Sequence, residues 1–492
     1  MKENTLENYF KKFRDNITGI DEVFDTPFGT MPLVYTDWTA SGRLYTPIEQ
    51  KILEDFGPFV ANTHTKTTIG GSLMTSAYEQ AKEIIKLHVN ANENDVLLQS
   101  GHGMTGAINK LQRILGLHIH EDFKEQIQIK EEDKPIVFIT HMEHHSNQTS
   151  WLETIADVEI IPYNNTQNID FKAFNTLLNQ YKNRKLKIAS VSACSNVTGL
   201  MPNYKSIATT IHQHGGYCFV DFACSAPYVA IDMHPSDKSQ KLDAIFFSPH
   251  KFLGGPGTSG IVIFNKNLYH NNIPDQPGGG TVLWTNPWGE HRYFNNIELR
   301  EDGGTPGFLQ AIRTALAIKL KEQMGIDNIL KREHEILDLL FTGLKQIPNL
   351  KILADDYTDR LGVISFNISD LNYHQGVKML NDRSGIQTRG GCSCAGTYGH
   401  ILLDVDKQKS HLIASEIEKG DEKNKPGWIR LSIHPTTTDA EVAYIIRSIS
   451  ALAQNHKKWI KDYNYINGEY IHKDFDDRAS INKIINNCFK MY

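Results

Sequence analysis

The 492-residue sequence is poor in cysteine. Its six cysteines are too few and too scattered for a disulfide framework, and they fit a reducing cytosol. No apolar run approaches the length of a membrane span. The start, MKENTLENYFKKF, is charged and amphipathic, without the apolar core of a signal peptide. Together these absences point to a cytoplasmic protein with no membrane partner. An excess of one charge sign is also missing. With 51 basic against 57 acidic side chains, the net charge is −6, which offers no surface for nucleic acid or anionic lipid. There is no internal repeat and no long low-complexity stretch. What remains is an ordinary globular composition, 40% hydrophobic and 22% charged, on a chain long enough for a large core and a smaller lobe.

From about residue 95 to 265, short apolar runs alternate with helix-like segments. The runs are 95–99, 135–140, 186–193, 216–222, 242–248 and 259–265, many of them β-branched as buried strands are. Between two of them, 204–216 reads as a helix closing on two glycines. The alternation predicts an α/β fold with a mostly parallel sheet. Chemically capable residues follow nearly every run: SGHGMTG, HMEHHSN, CSNVTG, Asp221 and SPHK. Ligands of open α/β sheets bind beyond the carboxyl ends of the strands, so these segments should converge on one crevice. Past about residue 325 the texture becomes α+β: a long helix, LGVISFNIS, a glycine-rich loop, GWIRLSIHP, and a helix from Asp439 to about Ala453. The tail from about 455 is polar and aromatic.

SPHKFLGG places Lys251 directly after a buried strand, where burial would lower its pKa and make it a nucleophile. A lone lysine there reads as a surface residue, and a lone aspartate at 221 as a helix cap. Together, thirty residues apart at successive strand ends, they suit pyridoxal 5′-phosphate (PLP). That cofactor needs a lysine for its aldehyde and a carboxylate for its ring nitrogen. GHGMTG offers a glycine-rich turn into a helix N-terminus, suited to a phosphate, with Ser248 and His250 as further donors. His141, His144 and His145 crowd together, but no ligand repeats at a known zinc spacing. A ring stacked on a flat cofactor explains a histidine there better than a metal does. TRGGCSCAGTYGH holds Cys392 and Cys394 one residue apart, open to four readings: half of a metal site, a strained disulfide, idle thiols, or a nucleophile and its neighbour.

Taken together, from about Asp37 to Ala453, these segments resemble the cysteine desulfurase and selenocysteine lyase group of the class V aminotransferase-like, fold-type I PLP enzymes. The resemblance implies that group's large domain with a mostly parallel sheet and a smaller α+β domain. It sets boundaries at 1–36 (an N-terminal segment packing on the small domain), 37–324, 325–454 and a 455–492 extension. EHHSN matches the motif whose histidine, here His144, stacks on the cofactor ring. Asn196 falls near the phenolic oxygen, Asp221 on the ring nitrogen and Lys251 on the Schiff-base position. Thr105, Ser248 and His250 fall on phosphate-binding positions. Thr305 matches a threonine that reaches the partner subunit's phosphate, which implies a homodimer with composite sites. Arg430 matches the arginine that grips the substrate carboxylate, a task suited to its forked donors, with Arg389 and Asn196 beside the substrate. The mobile-loop cysteine lands on Cys394, which would take sulfur from L-cysteine as a persulfide, release alanine and hand the sulfur to an acceptor.

Three departures stand against this pattern. Cys224 replaces a common glutamine, with Ser225 as a substitute donor; Pro249 replaces a glycine; and NTHTK lacks an arginine beside His64. The rival readings are another class V reaction, namely β-elimination, epimerisation or transamination of a different amino acid, and a non-catalytic sulfur-relay or assembly protein. Cys394 separates these, since the other reactions need no nucleophilic thiol.

Overall fold

The computed structural model describes residues 5–491 except 125, 421, 423, 424 and 467. The first four residues of the N-terminal segment, and 467 and 492 of the extension, therefore lie outside the described residues.

Helix α1 (Leu6–Arg14) begins on a Thr5 cap. Seven strands then form the main sheet: β1 (Asp95–Ser100), β2 (Ile136–Ile139), β3 (Asp157–Ile160), β4 (Lys187–Ser192), β5 (Tyr217–Asp221), β6 (Ala244–Phe247) and β7 (Gly260–Asn265). Their spatial order is β3-β2-β4-β5-β6-β7-β1. All neighbours are parallel except β7, which runs antiparallel to both β6 and β1. Alternate residues bury on opposite faces. Leu97, Phe138, Val191, Val220 and Ile263 enter one cluster, while Leu98, Val137, Ile188, Phe219 and Val262 enter the other. Both faces are dry, which is why six of the strands read as continuous apolar runs. The seventh, β3, is a half-buried edge strand of sequence DVEI, and its two carboxylates hide it from a hydrophobic reading.

Helices α2 (Gly103–Ile114) and α3 (His145–Leu152) start directly beyond β1 and β2. Helices α4 (Phe308–Met324) and α5 (Ile326–Leu344) meet at Gly325, whose φ of 76° is a left-handed turn that glycine allows. A second, fully antiparallel sheet follows, with β8 (Leu350–Ile352), β9 (Val363–Ile368), β10 (Arg389–Gly391) and β11 (Trp428–Ser432) in the order β8-β9-β11-β10. Helices α6 (Tyr373–Ser384) and α8 (Asp439–Trp459), each begun by a capping box, pack on it with α5. The short α7 (Gly396–Leu402) follows the cysteine loop.

Helix α8 runs to Trp459, past the expected end near Ala453, because its apolar face continues to meet the small-sheet core. Beyond it lie a hairpin (Tyr463–Ile466 and Glu469–His472) and helix α9 (Asp477–Cys488). The N-terminal segment touches both lobes. Phe10, Phe13 and Ile17 bury in the large core. Arg14 pairs with Glu441 of α8 at 2.8 Å, and Val34–Tyr35 pairs with Ile386–Gln387 beside the small sheet. Among the described residues no helix is long and apolar enough to cross a membrane.

Candidate functional site

The carboxyl ends of β1, β2, β4, β5 and β6 converge, as the sequence pattern required, on a cavity of about 230 Å³ closed from the other side by the β10–α7 loop and β11. Its walls include Thr105, His144, Asn196, Asp221, Ser248, His250, Lys251, Arg389, Cys394 and Arg430. One residue of the expected set, Thr305, does not line it; Thr305 lies exposed in the turn before α4.

The floor is set by strand ends. Lys251 sits in a 3₁₀ turn (Pro249–Lys251) after β6. The surrounding protein depresses its pKa, opposed by Cys224 and Asp221. Asp221 ends β5. Burial raises its carboxyl to about 7, although Ala223 N donates to it at 2.8 Å. An aspartate held at that point favours ionisation once a cation is set against it.

His144 caps α3 and accepts Ser146 N–H on Nδ1 at 3.1 Å. Burial, then the charge of Lys251, pushes its pKa down to about 3, so the ring is neutral. Its position is locked from below. Glu143, fully buried and raised by burial, accepts from Thr140, Asn147 and Ser192. Asn147 in turn accepts from Ser190 and from Trp151 of the same helix. The EHHSN motif is therefore a polar anchor that aims one imidazole. The three histidines diverge: His141 is buried and stacks on Tyr163 at 3.9 Å, His144 faces the cavity, and His145 turns to the cysteine loop.

At the N-terminus of α2, Met104 N donates to Ser248 Oγ at 2.8 Å, and the Thr105 and Ser146 hydroxyls meet at 2.6 Å. His250 is neutral, lowered to about 4 by burial. This approach depends on Gly260 at the start of β7, since a Cβ there would sit 1.8 Å from the Gly103 carbonyl. The result is a small cradle of hydroxyls, imidazole and helix N-terminus suited to a phosphate.

Arg430 on β11 is 2% exposed. Its Nη2 bonds Asp37 at 2.6 Å, its Nη1 donates to Asn196 O, and its Nε has no partner among the described residues. Arg389 meets the other oxygen of Asp37 at 3.0 Å. Asp37 thus ties two arginines from distant parts of the chain, a role nothing in its own stretch signals.

The loop closes the site. Ser393 and Cys394 both adopt left-handed backbone, φ 52° and 58°. Asn196 Nδ2 donates to Ser393 O at 2.6 Å, Trp428 Nε1 to Ser393 Oγ at 3.2 Å, and His145 N to Cys394 O at 2.7 Å. Gly396 N donates to His145 Nε2 at 2.9 Å. Cys394 is exposed and lines the cavity, whereas Cys392 is half-buried against the cluster of Met142, Tyr398 and Trp428. Cys224 forms part of the cavity wall, whereas Ser225 is not among the lining residues and its buried hydroxyl has no partner among the described residues.

These residues fit PLP. An amine, an aspartate poised for a cation, a neutral ring and an anion cradle surround one cavity, and Asn196 Oδ1 is buried without a partner among the described residues.

A family model described as Aminotransferase class-V matches residues 34–445. A probable cysteine desulfurase of Staphylococcus epidermidis is 30% identical over 371 residues, 74% of this chain and 83% of its own. One from Halalkalibacterium halodurans is 28% identical over 381 residues, covering 76% and 86%. Among solved structures, the apo cysteine desulfurase of Thermococcus onnurineus NA1 aligns with a TM-score of 0.71 at 22% identity, over 90% of this chain and 98% of that one. The Escherichia coli cysteine desulfurase CsdA (S-sulfonic acid) gives 0.69 at 20% identity, over the same shares. At these identities the structural likeness speaks for the fold.

Proposed function

Because the chain belongs to the class V aminotransferase family, we propose that it is a PLP-dependent cysteine desulfurase, taking sulfur from L-cysteine as a persulfide on Cys394 and releasing L-alanine. The observation that carries this reading is an exposed thiol on a loop that lines the same cavity as Lys251 and Asp221.

Lys251 would hold the cofactor aldehyde, Asp221 the ring nitrogen and His144 the ring face. Thr105, Ser248 and His250 would hold the phosphate. Bound there, the cofactor supplies an electron sink for charge that develops at the substrate Cα. Arg430, steadied by Asp37 and aided by Arg389, grips the substrate carboxylate. Lys251 Nζ, its basicity lowered by burial, takes and returns the Cα proton. The Cys394 thiolate attacks the substrate sulfur; the C–S bond breaks with its electron pair remaining on the substrate carbon, which is then protonated. L-Cysteine and one enzyme thiol thus become L-alanine and one enzyme persulfide.

The exposed position of Cys394 suits delivery to an acceptor protein. A second copy would supply Thr305. Its exposure supports this, as does a nearby hairpin (Val282–Thr285 and His291–Tyr293) whose Trp284 and Trp288 stand in solvent. The six cysteines are free thiols, consistent with a cytosolic protein.

The test is a single turnover of the purified, PLP-loaded protein with L-cysteine, measuring alanine. Stoichiometric alanine is expected from the parent and from Cys392→Ala, and none from Cys394→Ala. Undiminished alanine from Cys394→Ala would sink the assignment.

A further inference from the structure

Behind Lys251 lie three groups that the proposed chemistry leaves unused: Cys194, Cys224 and Glu333. Cys194 stands two residues past β4 and Cys224 three past β5, on adjacent parallel strands whose last paired residues are Ser192 and Asp221. Adjacent strands lie about 4.8 Å apart, and the two loops leave the sheet side by side, with Ala193 N donating to Asp221 O at 2.9 Å. Both sulfurs point at one carbonyl, Ser195 O, from 3.5 Å and 3.9 Å. Each thiol also bears on the other's ionisation. Both thiols line the cavity, which reaches solvent at Cys394. Two thiols brought to one carbonyl by neighbouring loops are candidates for a disulfide.

The two thiols are unequal. The neighbouring Cys194, with the nearby charge of Lys251, favours the Cys224 thiolate against burial, while burial pushes the Cys194 thiol up. Glu333, buried beside Cys224, is pushed well above the ordinary carboxyl range by burial, so it adds no negative charge there at neutral pH. One sulfur is therefore suited to attack and the other to resolve.

We propose that Cys194 and Cys224 form a peroxide-oxidisable dithiol at the back of the cavity. The Cys224 thiolate attacks the O–O bond, releasing hydroxide and leaving a sulfenic acid. The Cys194 thiol then displaces the hydroxyl, forming the S–S bond. One hydrogen peroxide is reduced to two waters while two thiols become one disulfide. The new bond draws together the loops that carry Asn196 and the Ala223 N–H that steadies Asp221, so the oxidised chain holds PLP poorly. That last consequence rests on the cofactor seat proposed above; the oxidation itself does not.

The test treats cofactor-free and PLP-loaded protein with hydrogen peroxide, blocks the remaining thiols and maps peptides by mass spectrometry. Fragmentation must assign the linkage to Cys224 rather than to Cys218, since no lysine or arginine separates them. A Cys194–Cys224 linked peptide, two hydrogens lighter than its reduced parts, is expected in the cofactor-free protein, and it should form more slowly when PLP fills the cavity. The linked protein should lose its bound PLP on gel filtration and regain it after dithiothreitol and added cofactor. Both residues remaining alkylatable after unfolding, while Cys394 is oxidised, would overturn the site. A linked chain that retains PLP as the reduced one does would overturn the coupling to the seat. Reduced protein that never binds PLP would instead refute the functional reading, with the linked peptide still decisive for the oxidation. Cys194→Ser should abolish the linkage, and the parent's peptide map stands even if that variant misfolds.

Discussion

The two walls of the cavity are built on different principles. The floor consists of strand ends: Asp221 and Ser192 are the last residues of β5 and β4, fixed by ladder hydrogen bonds within a sheet buried on both faces. The roof between β10 and α7, from Cys392 to Ala395, is a loop whose bonds are borrowed from elsewhere, from Asn196, His145 and Trp428. The floor positions groups that must keep their registry through a reaction. The roof presents a thiol that, in the proposed reaction, reaches inward and is then reached from outside. The same chain makes the first with cooperative backbone structure and the second with a few separable contacts, each worth about 1 kcal/mol.

The contrast can be broken from the floor first. Lys251→Ala should lower the rate of alanine formation by roughly 10³-fold while leaving the Cys394 thiol as reactive toward iodoacetamide as in the parent; equal loss of both would mean the two walls are not independent. Next in size is Asp37→Asn, which leaves Arg430 without its anionic partner. The KM for L-cysteine should rise about tenfold, or about 1.4 kcal/mol, with kcat less affected, as steady-state kinetics would show.

A third variant sharpens the comparison through pH. In the folded cofactor-free chain the Asp221 carboxyl titrates at about 7, against an ordinary 3.8. Between these values the folded chain keeps a proton the unfolded chain has lost, so Asp221 makes stability fall as pH rises through that window and level off above it. Asp221→Asn removes this fall. In urea unfolding, the cofactor-free variant should exceed the parent at about pH 8 and converge with it below about pH 4. The smallest effect belongs to the roof: His145→Ala removes one acceptor, costs about 1 kcal/mol, and should speed amide hydrogen exchange at Gly396 without changing exchange in β5.

Much of the floor was legible because its chemistry travels with local pattern: an apolar run followed at once by a polar group. SPHK, Asp221 and EHHSN each carry that signature within a few residues. Strand direction carries none, so the antiparallel β7 could not be told from its parallel neighbours, and β3 was lost because an edge strand need not be apolar. The roof was legible in its glycines and thiols but not in its anchors. His145 joins the loop across 251 residues of sequence and Asp37 joins Arg430 across 393. Nothing local to either residue distinguishes it from a neighbour. The wall formed by Cys194 was missed for a related reason: a buried thiol reads as a small hydrophobe until its neighbour is known.

The two left-handed residues, Ser393 and Cys394, have a consequence for how sulfur would leave in the proposed reaction. Such backbone costs roughly 1–2 kcal/mol for each residue that is not glycine, and the hydrogen bonds that hold the loop return about as much. The inward posture is thus nearly weightless, like a door hung without a latch. If Cys394 carries sulfur as proposed, thermal motion alone would suffice to swing it outward, and the pace of delivery would fall to whatever waits at the threshold.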